Sequence, residues 1–115
     1  MKQGLVTKIK IIKWRDADTP IVEISRQFPV RLIDTDKEGQ FDCPEKNTNE
    51  GKIAKLFAET FTANRDDVYL YIPSNNPIKL TDIASFDRIL GEIWIDGEKL
   101  TDILINNNFG EIKKC

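Results

Sequence analysis

The chain has 115 residues, 40% of them hydrophobic and 31% charged, with a formal net charge of −2. That is the length of one domain and the composition of an ordinary globular protein, and it excludes a global basic field for a polyanion. No histidine is present, which excludes Ser-His-Asp, Cys-His and His–metal chemistry and leaves acid–base work to carboxylates, lysine or tyrosine.

The two cysteines, Cys43 and Cys115, fit no zinc spacing and read as free thiols. No apolar run approaches the length of a membrane span. Residues 1–8 carry no apolar signal core. The expectation is therefore a cytoplasmic monomer away from membranes, with a phage- or plasmid-borne origin or a removed leader left open. There are no internal repeats and no low-complexity segment, so residues 1–115 are expected to form a single domain.

Leu5 to Trp14 carries β-branched residues interleaved with lysines, which predicts a strand. Arg15 to Pro20 is a turn by composition. Ile21, Val22 and Ile24 predict a second strand, Ser25 to Gln27 a turn, and Phe28 to Ile33 a third strand in meander order. Asp34 to Glu45 reads as an acidic loop. Asn47-Thr48-Asn49-Glu50 is a helix-start composition. Ile53, Leu56, Phe57 and Phe61 then recur at helical spacing, with Ala54 and Ala58 beside them, predicting an amphipathic helix lying on the sheet as far as about Thr62. Val68 to Ile72 alternates as a fourth strand, and Pro73 to Ala84 reads as a long loop. Ile89 to Ile95 is a fifth strand closed by the Asp96-Gly97 turn. Leu100, Ile103 and Leu104 open a short second helix that ends near Asn106 to Asn108. Five strands with a helix after the third are the layout of the OB-fold, a small, partly open barrel, so the expected class is α+β, mainly β.

The chemistry concentrates at strand ends. Arg31 sits on an apolar strand, and Asp34, Asp36, Glu38, Asp42 and Glu45 follow it. Charges beside a core cost several kcal/mol, on the order of 3–5 when a partner is missing, unless they are paired or bind a metal. A hard cation together with an anionic substrate answers that requirement. Asp16 and Asp18 precede the second strand, and Arg88 opens the fifth. Taken singly, each of these residues has a bland reading as a turn former, a solvated charge or a local ion pair.

Their order along the chain is more specific. Asp16-Ala17-Asp18-Thr19 comes first, then Val30-Arg31-Leu32-Ile33 followed by Asp42-Cys43-Pro44-Glu45. Gly51-Lys52-Ile53-Ala54-Lys55-Leu56-Phe57 comes next, and last the run from Arg88 to Gly97, Arg-Ile-Leu-Gly-Glu-Ile-Trp-Ile-Asp-Gly. This series resembles the staphylococcal (micrococcal) nuclease family from about Val6 to Gly110. The resemblance implies an OB-fold and calcium-dependent hydrolysis of phosphodiesters in DNA and RNA, on single-stranded or locally open substrate. It implies Asp18 and Asp42 as calcium ligands, with the Cys43 backbone carbonyl as a third, and Asp16 as an acid behind them. It implies Glu45 as the general base and Arg31 and Arg88 as the two phosphate clamps. Such roles are chemically apt. Calcium takes oxygen ligands and tolerates waters, a carboxylate can accept a proton from water, and a guanidinium matches phosphate oxygens in bidentate fashion.

The chain departs from the family pattern in three places. The second aspartate usually follows the arginine by five positions, as Asp36 does, whereas Asp42 has the Pro-Glu context. An insertion between Asp34 and Phe41 reconciles the two, with Asp42 preferred and Asp36 kept as the alternative ligand. Asp87 stands where the family has a glycine before the second arginine, and Ala17 replaces a glycine in the first turn. The rival expectation is a catalytically silent OB-fold module that binds nucleic acid or a protein. Trp14, Tyr69, Tyr71 and Trp94 read as packing aromatics rather than base-stacking ones. Lys79 reads as a solvated lysine.

Overall fold

The computed structural model describes residues 4–23, 27–73 and 89–114. The first predicted strand is two strands. β1 (Gly4–Lys8) and β2 (Lys10–Asp16) are separated by Ile9. Ile9 is buried, and its N–H donates to the Val68 carbonyl at 2.9 Å, carrying the β1–β6 register one residue past β1 before the chain turns into β2. β2 then bends at two register shifts, Ile11/Lys13 and Trp14/Asp16. Bulges of this kind turn a strand from one neighbour toward another. They also account for the imperfect alternation of Ile11 and Ile12, because Ile12 ends up exposed while Trp14 is buried.

β3 (Thr19–Glu23) and β4 (Gln27–Asp34) follow β2 in the expected antiparallel meander. β6 (Val68–Pro73) pairs antiparallel with β1 and with β7 (Ile89–Ile95), and β7 runs parallel to β4. The strand order is β1-β6-β7-β4-β3-β2, so its two ends are consecutive segments of chain. The radius of gyration, 13.1 Å, is that of a compact domain of this length.

Three short strands were not predicted. β5 (Gly39–Asp42) rises out of the acidic loop and pairs with β4 and with β9 (Glu111–Lys114). β8 (Glu98–Lys99) extends the turn after β7. Each has four residues or fewer and at most one aliphatic or aromatic side chain, so alternation had nothing to act on. Gly39 lets β5 and β9 close, since a Cβ there would lie 2.4 Å from the Lys113 carbonyl oxygen. Among the described residues the result is a nine-stranded mixed sheet with two helices, an α+β arrangement in which strands predominate.

Helix α1 (Asn49–Thr62) begins where its composition predicts, and the Thr48 hydroxyl caps it by accepting from the Gly51 N–H at 3.0 Å. The face it buries meets the prediction in part. Gly51, Ala54, Ala58 and Thr62 are buried, whereas Ile53 and Leu56 are 57% and 62% exposed. Small side chains let the helix axis come close to β2. There the Trp14 indole N–H reaches the Thr62 hydroxyl at 3.1 Å, and that hydroxyl donates to the Ala58 carbonyl at 2.7 Å. Phe57 and Phe61 are half-buried on the flank. Phe57 packs against Phe61 and Phe109 at ring separations of 5.8 and 4.7 Å. Helix α2 (Leu100–Asn106) buries Leu100, Ile103 and Leu104 as predicted.

Candidate metal and phosphate site

The turn between β2 and β3 holds the first two acids. The Asp18 N–H points to the Asp16 carboxylate at 3.4 Å, and the Thr19 hydroxyl donates to the Asp18 carboxylate at 2.7 Å. Ala17 is fully buried between them. The Leu32 N–H donates to the Asp18 carbonyl at 3.2 Å and ties this turn to β4 beside Arg31.

Arg31 is buried along β4 and faces both acidic segments. Its guanidinium lies 3.6 Å from Asp18 and 3.9 Å from Asp42. It also donates to the Phe41 carbonyl and, at 3.5 Å, to the Leu32 carbonyl. β5 therefore delivers Asp42 to the arginine. β9 adds Lys113, whose ammonium is 2.9 Å from the other Asp42 oxygen. The Asp16 and Asp18 carboxylates and the Cys43 thiol each place a ligand-capable atom within 4.8 Å of one another.

The electrostatics follow from this crowding. Burial, together with the neighbouring Asp18, pushes the Asp16 carboxyl up to about 6. Burial alone would raise Asp18 as well. Hydrogen bonds from Asp16 and Thr19, and the Arg31 charge, outweigh it and hold Asp18 below the usual carboxylate range. Burial and the two aspartates push the Cys43 thiol up to about 12, so it stays protonated. The hydrogen bond and charge of Asp42 raise Lys113.

A hard cation fits the oxygen part of this donor set. Asp16 and Asp18 would hold it, and a positive ion offsets the burial and the Asp18 charge that raise Asp16. A neutral thiol is a poor calcium ligand, so Cys43 would contribute through its carbonyl rather than through sulfur.

The structure separates Asp36 from this group. Lys99 holds Asp36 at 3.0 Å, Asp34 at 3.1 Å and Glu92 at 3.7 Å, forming a second charged cluster. Glu92 accepts from the Thr35 N–H and hydroxyl, both at 2.7 Å, and from the Trp94 indole at 3.1 Å. Burial would lower Lys99, but its hydrogen bonds to Asp36 and Asp34 and the Glu92 charge carry it up to about 12. Glu38 sits in the β4–β5 turn with a positive φ of 55°. Glu45 is exposed just before α1, and its carbonyl accepts from the Thr48 N–H and hydroxyl at 3.0 and 2.6 Å. A Cβ on Gly51 would lie 2.0 Å from that carbonyl oxygen, so the glycine lets the loop lie against the helix. Arg88, Asp87 and Lys79, and the predicted loop beyond Pro73, lie outside the described residues.

Sequence reasoning missed Lys113, Lys99 and the Cys43 thiol. The pairing Trp94↔Lys99 across the Asp96-Gly97 turn was a usable signal for Lys99. Nothing comparable pointed to Lys113, whose role depends on the β5–β9 pairing. No helix of the described residues is long and apolar enough to cross a membrane. No family model matches the chain, and no match was found among the curated proteins.

Proposed function

We propose that this chain is a nuclease of the staphylococcal type, hydrolysing phosphodiester bonds in DNA and RNA with calcium. The observation that carries the reading is that Asp18, grouped with Asp16 and Cys43 around one small acidic turn, faces the Arg31 guanidinium of β4. In fold terms the proposal is an OB-type barrel in which β1 and β2 are two halves of one bent first strand. A strand order whose ends are consecutive segments, the parallel β4–β7 pair and a helix after the meander support it.

Each residue has a task in this reading. Asp16 and Asp18 would hold the ion, with the Cys43 carbonyl as a further donor, while Asp42, expected as a ligand from the resemblance, is taken up by Lys113 and Arg31. When bound, the ion would supply charge to neutralise and polarise the phosphodiester. Arg31, with Arg88, binds phosphate oxygens and stabilises the charge that grows on them. Glu45, exposed at the approach to α1, accepts the proton of the attacking water. Asp36 serves the Lys99 cluster instead of the metal.

A second reading, a silent binding module, is favoured by one observation. The Arg31 guanidinium is already engaged by the Phe41 carbonyl and by Asp18 and Asp42. Digestion of denatured plasmid DNA with calcium or with EDTA separates the two. The nuclease reading expects calcium-dependent digestion that Glu45→Ser and Arg31→Lys each reduce by ~10²-fold or more. Retained DNA binding without turnover by the folded wild-type chain, under any divalent metal, would establish the binding module in its place.

A further inference from the structure

The outer face of α1 is not accounted for by the site. Its apolar residues are large and exposed, Ile53 at 57% and Leu56 at 62%, and they adjoin the half-buried Phe57. With successive residues about 100° apart around a helix, Lys52, Ile53, Glu59 and Thr60 fall within about 60° of Leu56. Of these and Leu56 itself, Ile53 and Leu56 are apolar, Lys52, Glu59 and Thr60 are polar, and all are exposed. Lys52 and Glu59 lie on one side of Leu56, four residues before it and three after. Ile53 and Thr60 lie on the other side, three before and four after. None of the described ion pairs uses Lys52 or Glu59.

That pattern is complementary to itself when reversed. We propose that two copies of this chain pair through α1, antiparallel, about a two-fold axis at Leu56. A two-fold contact sets each surface patch against its own copy. Leu56 then meets Leu56 of the second copy on the axis. Lys52 meets the second copy's Glu59, and Glu59 its Lys52, so both ion pairs form on one side of the seam. Ile53 packs beside Thr60 on the other side. A partner of a different sequence would have to reproduce this reversed order of charge, whereas a second copy carries it already. One helix face is smaller than the ~1,600 Å² of a standard interface, so the association is weak and concentration-dependent. The pairing replaces the expected monomer and is independent of the proposed chemistry.

Sedimentation velocity from ~10 μM to ~1 mM protein tests the proposal, with circular dichroism confirming that each variant is folded. The wild type shifts from monomer to dimer across that range. Leu56→Lys stays monomeric, and Lys52→Glu and Glu59→Lys each weaken association by ~10-fold by setting like charges opposite one another. The double variant Lys52→Glu/Glu59→Lys, which restores opposite charges across the axis, recovers wild-type association within ~3-fold. A wild type that stays monomeric throughout, a dimer indifferent to Leu56→Lys, or a double variant no better than the singles would overturn the proposal.

Discussion

Two charged clusters flank the end of β4, and they are built differently. Around Lys99 the cation lies 3.0–3.1 Å from Asp36 and Asp34, and Asp34, Glu92 and Lys99 are all buried. Around Arg31 the nearest carboxylates stand off at 3.6 and 3.9 Å, and Asp16 keeps its proton well into the acidic range. The first cluster pairs its cation with two buried carboxylates, Asp34 and Glu92, and with the exposed Asp36. In the second, Arg31 stands off from Asp18 and Asp42, Lys113 closes on Asp42 at 2.9 Å, and none of the described ion pairs neutralises Asp16 beside Asp18. Under the proposed reading, that unneutralised pair of carboxylates, rather than a buried charge network as such, is what an added cation would complete.

The largest effect expected on stability comes from breaking the Lys99 cluster. Lys99→Met removes the cation facing Asp34 and Glu92 and should destabilise the fold by about 3–5 kcal/mol, read from urea or guanidinium unfolding. Calcium should not rescue it. Arg31→Lys keeps the charge but loses the planar fork. It should lower turnover by ~10²-fold while unfolding shifts by less than about 1–2 kcal/mol. A larger loss of stability than of activity would reverse the roles assigned to the two clusters.

A smaller effect separates the clusters by pH. The Asp16 carboxyl holds its proton more tightly when folded, at about 6 against the ordinary 3.8. Its contribution to stability is therefore full below the ordinary value and is lost as pH rises through about 6. With a discount for solvent screening of this half-exposed group, Asp16→Asn should remove that loss and stabilise the metal-free chain at neutral pH by about 1 kcal/mol. Unfolding curves at pH values on either side of this window check it. The same substitution should weaken calcium binding, so added calcium should stabilise the wild type more than the variant. For the wild type the gain should reach about 2.7 kcal/mol at a hundredfold excess over Kd.

Much of this contrast was legible in the sequence. The meander, the helix start at Thr48 and the fifth strand followed from alternation and capping chemistry. Asp16, Asp18, Arg31 and Asp42 were named as site residues and come together in space. The rest depended on long-range closeness that local pattern does not carry. β5 and β9 are each too short to declare themselves, yet their pairing carries Lys113 to Asp42. The face of α1 is legible only in part: Ala54 and Ala58 of the expected set are buried, whereas the larger Ile53 and Leu56 are exposed. Close approach to β2 requires small side chains, and Ala54 and Ala58 supply them. Asp36 has the spacing that the resemblance implies but lies in the β4–β5 turn, where Lys99 pairs with it.

The most direct test of the candidate site is calorimetric titration of calcium into the wild-type chain and into Asp18→Asn at neutral pH. One binding event is expected in the wild type, abolished or weakened by ~10-fold or more in the variant, with unfolding curves showing that both are folded. Calcium binding of equal strength in the two proteins, or none in the folded wild type, would contradict it.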